Sequence, residues 1–494
     1  MPRRMAINAT AKLTSMKQIL VSLACLLALH AVAHSADATK PNIIFIVADD
    51  MGNADTGFQG CKDIATPHLD ALAKSGVRCT SGYVSHPFCS PTRAGLMTGR
   101  YQQRFGHENN PIFNRADTVA GLPLTETALP KILRDAGYAT GWIGKWHLGA
   151  AECFHPMKRG FNDAYGFLGG GHQYFADKLT KPDEEYFTPL ERNGASLAAT
   201  GGYLTTMFGD EAVAFVERHA REPFFLYLAF NCPHGPLQAP EDYLKRVSGS
   251  ITDKKRRVYA AMVMAQDDAV GALMAKLAEL RIEENTLVCF ISDNGGPTGY
   301  MSNGSSNGAL RGGKFNVYEG GIRVPFVLRW KGTLPAGREY DQPVISLDLA
   351  ATALAAAGCD SDTPVRLTPG TTADKSVRIT KPLDGVNVIP FLRGEKSGAP
   401  HEALYWRSGG GVLYAVRSGA MKLVRRKDSA LELFDLNADI GEQHDLAAAK
   451  PDEVKRLEAL RVKWDAELVP PLFPPLVHEP DGDGPIENLP PKKP

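Results

Sequence analysis

The sequence predicts an α/β protein: a large, mixed, mostly parallel sheet flanked by helices, followed by a small C-terminal α+β subdomain. Three observations carry this. Apolar runs of strand length recur along the chain, and each ends in ionisable or amide side chains. Helix-length stretches lie between them, the alternation of a doubly wound fold. After residue 400 the texture changes to short runs of antiparallel type. A chain of 494 residues can hold one large domain and a smaller one.

Taken in order, 42–48 (N-I-I-F-I-V-A) reads as the first strand and runs into Asp49-Asp50. Residues 139–143 run into Gly144-Lys145-Trp146-His147, 224–230 into Asn231-Cys232-Pro233-His234, and 287–292 into Asp293-Asn294-Gly295. The helical stretches are 125–136, 205–220 and 255–280. In such sheets ligands gather outside the carboxyl ends of the strands, so four strands deliver polar groups to one candidate site. Residues 363–384, rich in Thr, Pro and charge, read as a loop, and 390–398 as a link. Residues 412–417, 422–426 and 432–436 read as antiparallel strands and 451–468 as a helix. The expected organisation is therefore a leader over 1–36, the large domain over 40–395, a small sheet plus helix over 400–470, and a Pro-rich tail over 471–494 that wraps a surface or stays disordered.

The leader is a secretory signal: Lys17, an apolar run over 19–29, then small residues around Ala31, Ala33 and Ala36. The run is too short for a comfortable membrane span, and no other segment reads as one. Cleavage near Ala36 implies a secreted or periplasmic protein, with Met16 a second candidate start. The 55 basic and 55 acidic side chains cancel, which gives no support for a nucleic-acid-binding surface. Of eight cysteines, Cys25 leaves with the leader. Cys61, Cys79, Cys153, Cys232, Cys289 and Cys359 are too sparse for a disulfide scaffold.

Cys89 opens C-S-P-T-R-A-G-L-M-T-G-R. Ser90 reads as a helix N-cap and Pro91 as the first helical residue, which puts Cys89 at a helix N-terminus where free N–H groups favour negative charge. Arg93 can fold back to pair with an anion there. Read alone, this is equally a buried or disulfide-bonded cysteine before an ordinary helix. Asp49-Asp50 and Asp293-Asn294 offer hard oxygen ligands suited to Ca²⁺ or Mg²⁺, and no His/Cys spacing suggests zinc. Lys145 and His147 project from one face if the chain stays extended. His234 lies in a loop framed by Pro and Gly, and Lys314 in a glycine-rich one.

C-S-P-T-R followed by L-M-T-G-R resembles the signature of the formylglycine-dependent sulfatases, of the alkaline phosphatase superfamily. The likeness runs from about Pro41 to Leu468 and extends to the secreted bacterial carbohydrate sulfatases. It implies an alkaline phosphatase-like fold and a sulfatase that hydrolyses sulfate esters. Cys89 would be oxidised to formylglycine by a maturation enzyme, and one calcium per chain would be bound by Asp49, Asp50, Asp293, Asn294 and residue 89. The resemblance also implies the chemistry: the hydrated aldehyde attacks sulfur with help from Asp293, and His234 or Lys314 protonates the departing oxygen. Calcium, Arg93, Lys145 and Lys314 hold the developing charge, and His147 expels sulfate to restore the aldehyde. For substrate, Gly169-Gly170-Gly171-His172-Gln173-Tyr174-Phe175 reads as a pocket loop in which His172, Gln173 and Tyr174 contact a sugar. Three other readings remain: an arylsulfatase of broad specificity, a phosphate or phosphonate ester hydrolase of the same superfamily, and a non-catalytic glycan-binding relative. Cysteine at 89 disfavours the phosphatase, and a complete set of expected residues disfavours the non-catalytic relative.

Overall fold

The computed structural model describes residues 40–199, 201–359, 381–427 and 429–475. The leader, most of the 363–384 loop and the tail beyond Pro475 lie outside them. The first twelve strands are β1 (Asn42–Ala48), β2 (Val77–Cys79), β3 (Gly82–Tyr83), β4 (Ala139–Lys145), β5 (Asp163–Phe167), β6 (Glu191–Arg192), β7 (Ala195–Ser196), β8 (Phe224–Ala229), β9 (Thr286–Ser292), β10 (Phe326–Trp330), β11 (Arg338–Tyr340) and β12 (Val344–Ile345). Ten of them form one sheet in the order β11-β2-β10-β9-β1-β8-β4-β5-β6-β7, and β3 pairs with β12 separately. The centre, β9-β1-β8-β4-β5, is parallel. Antiparallel pairs lie on either side of it.

The central strands are apolar throughout because both their faces are covered. On β1, Ile43, Phe45 and Val47 enter one core, with Leu96, Met97, Ile132 and Leu347 of the helices Cys89–Thr98, Leu129–Asp135 and Leu347–Ala356. Ile44, Ile46 and Ala48 enter the other, with residues of the helices Leu204–His219 and Lys254–Glu279. Parallel register then aligns the strand ends: Ala48 lies level with Ser292, and Val47 with Ala229. The segments that follow β1, β4, β8 and β9 therefore leave four neighbouring strands at one edge.

Strand β4 runs two residues beyond its expected end, because Gly144 and Lys145 pair with Gly166 and Phe167 of β5. Gly144 can do so only as glycine. Its φ is 105°, and a Cβ there would sit 2.0 Å from the Ala229 carbonyl oxygen.

The C-terminal sheet is β13 (Leu404–Ser408), β14 (Leu413–Ser418), β15 (Met421–Arg425) and β16 (Glu432–Asp435), antiparallel in that order. The helix Pro451–Asp465 packs Leu457 against Val416, Leu423 and Leu433. Strand β13 was not expected from the sequence, and the link segment contains a short helix, Ile389–Leu392. Trp406 on β13 is fully buried, and its Nε1 donates to the Val84 carbonyl at 2.7 Å, which ties this sheet to the large one's core. All seven described cysteines are free thiols. Among the described residues, no helix is long and apolar enough to cross a membrane.

Candidate active site

The four strand ends converge as their sequence position requires. Asp49 and Asp50 follow β1, and Asp50 leaves it in a left-handed turn (φ 64°), a conformation an aspartate tolerates better than most residues. Its N–H donates to Asp293 Oδ1 at 3.3 Å. Asp293 and Asn294 follow β9 next door. Cys89 is the first residue of its helix, buried, with Sγ 3.5 Å from Asp49 Oδ1. The helix begins two residues earlier than expected, at Cys89 rather than Pro91, and Ser90 does not cap it. The Ser90 hydroxyl instead donates to the His147 carbonyl at 2.5 Å and meets His107 Nε2 at 2.6 Å, while its N–H donates to Asn110 Oδ1 at 3.0 Å. Ser90, His107 and Asn110 thus fix the entrance of the Cys89 helix. No sequence signal marks His107 or Asn110 for this.

Three cations meet the three carboxylates. Arg93 donates through Nε and Nη2 to Asp293 Oδ2 at 2.9 and 2.7 Å, and its Nη2 lies 3.8 Å from Asp49 Oδ2. Lys145 Nζ donates to Asp49 Oδ2 at 2.7 Å. Lys314 Nζ donates to Asp50 Oδ2 at 3.1 Å, and His234 Nε2 lies 3.7 Å from the same oxygen. His234 Nδ1 faces the Gly235 carbonyl at 2.7 Å. His147 also turns left-handed (φ 57°), so the expected extended run that would set it beside Lys145 is broken after Trp146. The turn lets the ring pack over Gly170, where a Cβ would lie 2.5 Å from Nε2.

Burial governs the protonation of this cluster. It pushes the Cys89 thiol well up, and Lys145 and Lys314 do not offset it, so Cys89 is a neutral thiol. Burial also works to raise Asp49, but Lys145, His234, Arg93 and Lys314 outweigh it and hold that carboxyl well below its ordinary range. Asp293 goes the other way, up to about 6, because burial and the Asp49 charge prevail over Arg93 and Lys145. Burial, helped by Lys145 and Arg93, drives His147 well below the usual histidine value, so its ring is neutral.

The donor set fits a divalent cation with oxygen preference. Ligand atoms of Asp49, Asp50, Cys89 and His234 lie within 4.8 Å of one another. Asn294 Nδ2 donates to Asp50 Oδ1 at 2.7 Å, which leaves its Oδ1 buried and without a hydrogen-bond partner. An orphaned amide oxygen beside paired carboxylates is what a hard cation would satisfy. His234 belongs to this group although the sequence reading assigned it elsewhere. Asp293 is outside it, its Oδ2 held by Arg93.

The 169–175 loop is placed differently from expectation. His172 is fully buried: Nδ1 faces the Gln173 carbonyl at 3.0 Å, Nε2 the Thr188 carbonyl at 2.9 Å, and the ring lies against Phe167 at 4.4 Å between centroids. Burial lowers its pKa to about 4. Tyr174 is also interior, and its hydroxyl lies within hydrogen-bond reach of both the Asn231 and the His234 (2.7 Å) carbonyls, its single proton going to one of them. Neither side chain is turned to a ligand, which corrects the expectation of sugar contacts from these two. A glycine run admits close backbone approach from inside as readily as from outside, and here it serves His147, Glu185 and Tyr186. Gln173 is half-buried and accepts from Gln238 Nε2 at 2.6 Å.

The profile of the sulfatase family matches residues 41–359. N-acetylgalactosamine-6-sulfatase of Canis lupus familiaris is 35% identical over 401 residues, covering 77% of this chain and 71% of the relative. Steryl-sulfatase of Homo sapiens is 31% identical over 448 residues, covering 76% and 73%. Among solved structures, the crystal structure of Ps i-CgsB in complex with k-i-k-neocarrahexaose superposes with a TM-score of 0.79 at 38% identity, covering 88% of this chain and 94% of that one.

Proposed function

The chain belongs to the sulfatase family and hydrolyses sulfate esters, and from that premise we propose that its substrate is a sulfated carbohydrate, hydrolysed at a formylglycine made from Cys89 beside one bound calcium. The observation that carries the reading is the approach of the Cys89 thiol to Asp49 at a helix N-terminus, inside a cluster that also holds the orphaned Asn294 oxygen. The carbohydrate preference is supported by two of the proteins it resembles, one named for N-acetylgalactosamine 6-sulfate and one that holds a neocarrahexaose. Calcium is favoured by ligand hardness: carboxylates and an amide oxygen, with no thiolate pair or histidine set for zinc.

Asp49, Asp50, Asn294 and residue 89 would hold the ion, with His234 in the same cluster, while Asp293, its Oδ2 held by Arg93, would reach it only through Oδ1. When bound, the ion neutralises the sulfuryl oxygens, and the hydrated aldehyde supplies the attacking oxygen. The protein's own side chains supply the rest. Arg93 and Lys145 anchor Asp293 and Asp49 and leave positive charge facing the sulfate. Lys314 and His234 approach from the Asp50 side, where either can give a proton to the departing alcohol oxygen. His147, neutral and with Nδ1 lacking a hydrogen-bond partner, is the proton acceptor of the set. The 1–36 segment would direct export, and the maturation enzyme would act on the Cys89–Arg93 stretch.

Peptide mass spectrometry across residue 89, after co-expression with a formylglycine-generating enzyme, tests the nucleophile. The aldehyde is expected there, and Cys89→Ala should lower kcat for sulfate release at least ~10³-fold. An unmodified cysteine in a fully active protein would sink the assignment. Parallel assays on sulfated saccharides, 4-nitrophenyl sulfate and a phosphonate monoester test the substrate class. Preference for the phosphonate would reverse it.

A further inference from the structure

Beside the candidate active site lies a cavity of about 550 Å³, within the range of ligand pockets, that no catalytic side chain enters. We infer that it is a subsite for the alcohol side of the substrate, where a sugar next to the sulfated one lays its C–H face. This rests on the carbohydrate reading above.

The position comes first. The floor is Phe88 and Phe315, whose rings lie 5.1 Å apart between centroids. These are the immediate neighbours of Cys89 and Lys314, and consecutive Cα atoms are about 3.8 Å apart. An ester whose sulfur sits at residue 89 must project its alcohol away from the cluster, and this cavity begins one residue from it. Phe315 is held in a left-handed conformation (φ 71°) with its N–H donating to the Pro87 carbonyl at 2.8 Å. A bulky residue in that conformation is strained and persists only where its surroundings demand it. Here one turn sends Lys314 into the cluster and the Phe315 ring to the cavity floor.

The far wall is built, not incidental. Residues 469–475 are pinned across the 102–110 segment. Val469 N–H donates to the Gln103 carbonyl at 3.2 Å, Leu472 N–H to the Gly106 carbonyl at 2.9 Å, and Asn109 Nδ2 to the Phe473 carbonyl at 2.7 Å. Gly106 (φ 73°) makes the seat possible, since a Cβ there would lie 2.7 Å from Leu472 Cγ. The same segment carries His107, which holds Ser90 beside Cys89. The rim is apolar and open: Val412 is 41% and Leu472 48% exposed. Asn109 and Ser408 are the polar side chains in an otherwise apolar lining. A sugar ring has this mixed character, with an apolar face for the phenylalanines and hydroxyls at its edge for the Asn109 amide oxygen and the Ser408 hydroxyl, Asn109 Nδ2 being held by the Phe473 carbonyl.

The test is the ratio of kcat/KM on a sulfated hexasaccharide to that on 4-nitrophenyl sulfate, for Val412→Trp and Leu472→Asp in the full-length, matured protein. Both positions are exposed, so the fold should survive, which melting will check; Leu472→Ala is the milder second variant. The expected result is a fall of at least tenfold in the ratio for the first two, and a smaller fall for Leu472→Ala. A ratio within twofold of wild type for all three would overturn the subsite. If the wild type turns over no saccharide, the carbohydrate reading fails, and aryl sulfates with short and long apolar tails decide the cavity separately. Loss of discrimination between those tails in the variants would keep an apolar subsite but remove the sugar from it, and unchanged discrimination would remove both.

Discussion

The loop 311–323 contributes to two clusters of buried charge among the described residues. At one end of that loop Lys314 enters the candidate active site, where three carboxylates face three cations. A few residues on, Glu319 joins Lys422, Glu442, Arg323 and Tyr83 at the C-terminal sheet. Lys422 Nζ lies 2.8 Å from both Glu319 Oε1 and Glu442 Oε1. Glu319 Oε2 accepts from Tyr83 at 2.6 Å and Arg323 at 3.1 Å, and Glu442 Oε2 accepts the Glu319 N–H at 2.7 Å. Arg417 reaches the Tyr83 hydroxyl. Every charged group in this second cluster has an ion-pair or hydrogen-bond partner, although Glu442 Oε1, 2.8 Å from Lys422 Nζ, makes no hydrogen bond. In the first, Asn294 Oδ1 and His147 Nδ1 have no hydrogen-bond partner. The same raw materials, carboxylates and ammonium groups without water, are closed upon themselves in one place and left open in the other. Unsatisfied buried groups cost stability and persist where something else completes them.

The largest expected effect separates the clusters by activity. Stripping divalent ions, or Asp50→Ala, should cut kcat/KM for sulfate release on the order of 10³-fold. Elemental analysis should find one calcium per chain in the wild type. Returning calcium to the stripped wild type should raise its stability by about 2.7 kcal/mol at a hundredfold excess over Kd. Two zinc ions per chain, with no calcium, would break the comparison at its open end. Metal-free Asp50→Ala should unfold earlier than metal-free wild type, because it leaves the buried Lys314 ammonium and Asn294 Nδ2 without the carboxylate they donate to.

The second effect is the mirror image. Lys422→Met should cost about 3 kcal/mol, since it strands buried carboxylates while preserving volume. Folded protein should keep kcat within a few-fold. Denaturant unfolding and kinetics on the same preparation check this. A stable variant that has lost activity would mean that the C-terminal sheet acts on Lys314 through Glu319 and is not only a lock.

The smallest effect is in pH dependence. Burial and the neighbouring Glu319 charge raise Glu442 to about 7. A carboxyl raised in the folded state contributes stability that is complete below its unfolded value and lost as pH rises through the folded one. Between about pH 4.5 and 7 the wild type should therefore lose stability relative to Glu442→Gln, as denaturant midpoints at pH 5 and 7.5 would show. Parallel curves for the two proteins would remove Glu442 from the balance.

Much of the fold and part of the candidate site are legible in the chain itself. Apolar runs of strand length, covered on both faces, announce a parallel sheet, and the residues after each run are obliged to leave at its carboxyl edge. That places Asp49, Asp50, Lys145, His234, Asp293 and Asn294 together before any contact is known. The Cys89 signature adds the proposed nucleophile position, at a helix N-terminus. What local pattern could not decide is the direction of side chains whose neighbours are distant in sequence. His172 looks like a ligand-facing loop residue, yet its partner Thr188 lies across a turn and draws the ring inward. Ser90 looks like a cap, but His107 and the His147 carbonyl claim its hydroxyl. Lys422 finds Glu319 103 residues away, and the cavity takes walls from Phe88, Phe315, Ser408 and Leu472. Periodicity and capping are properties of a few consecutive residues, so the sequence by itself determined the elements and which residues stand at their ends. Which buried polar group meets which, and where a space is left, depends on the packing of segments far apart in the chain, and only the tertiary structure decided that.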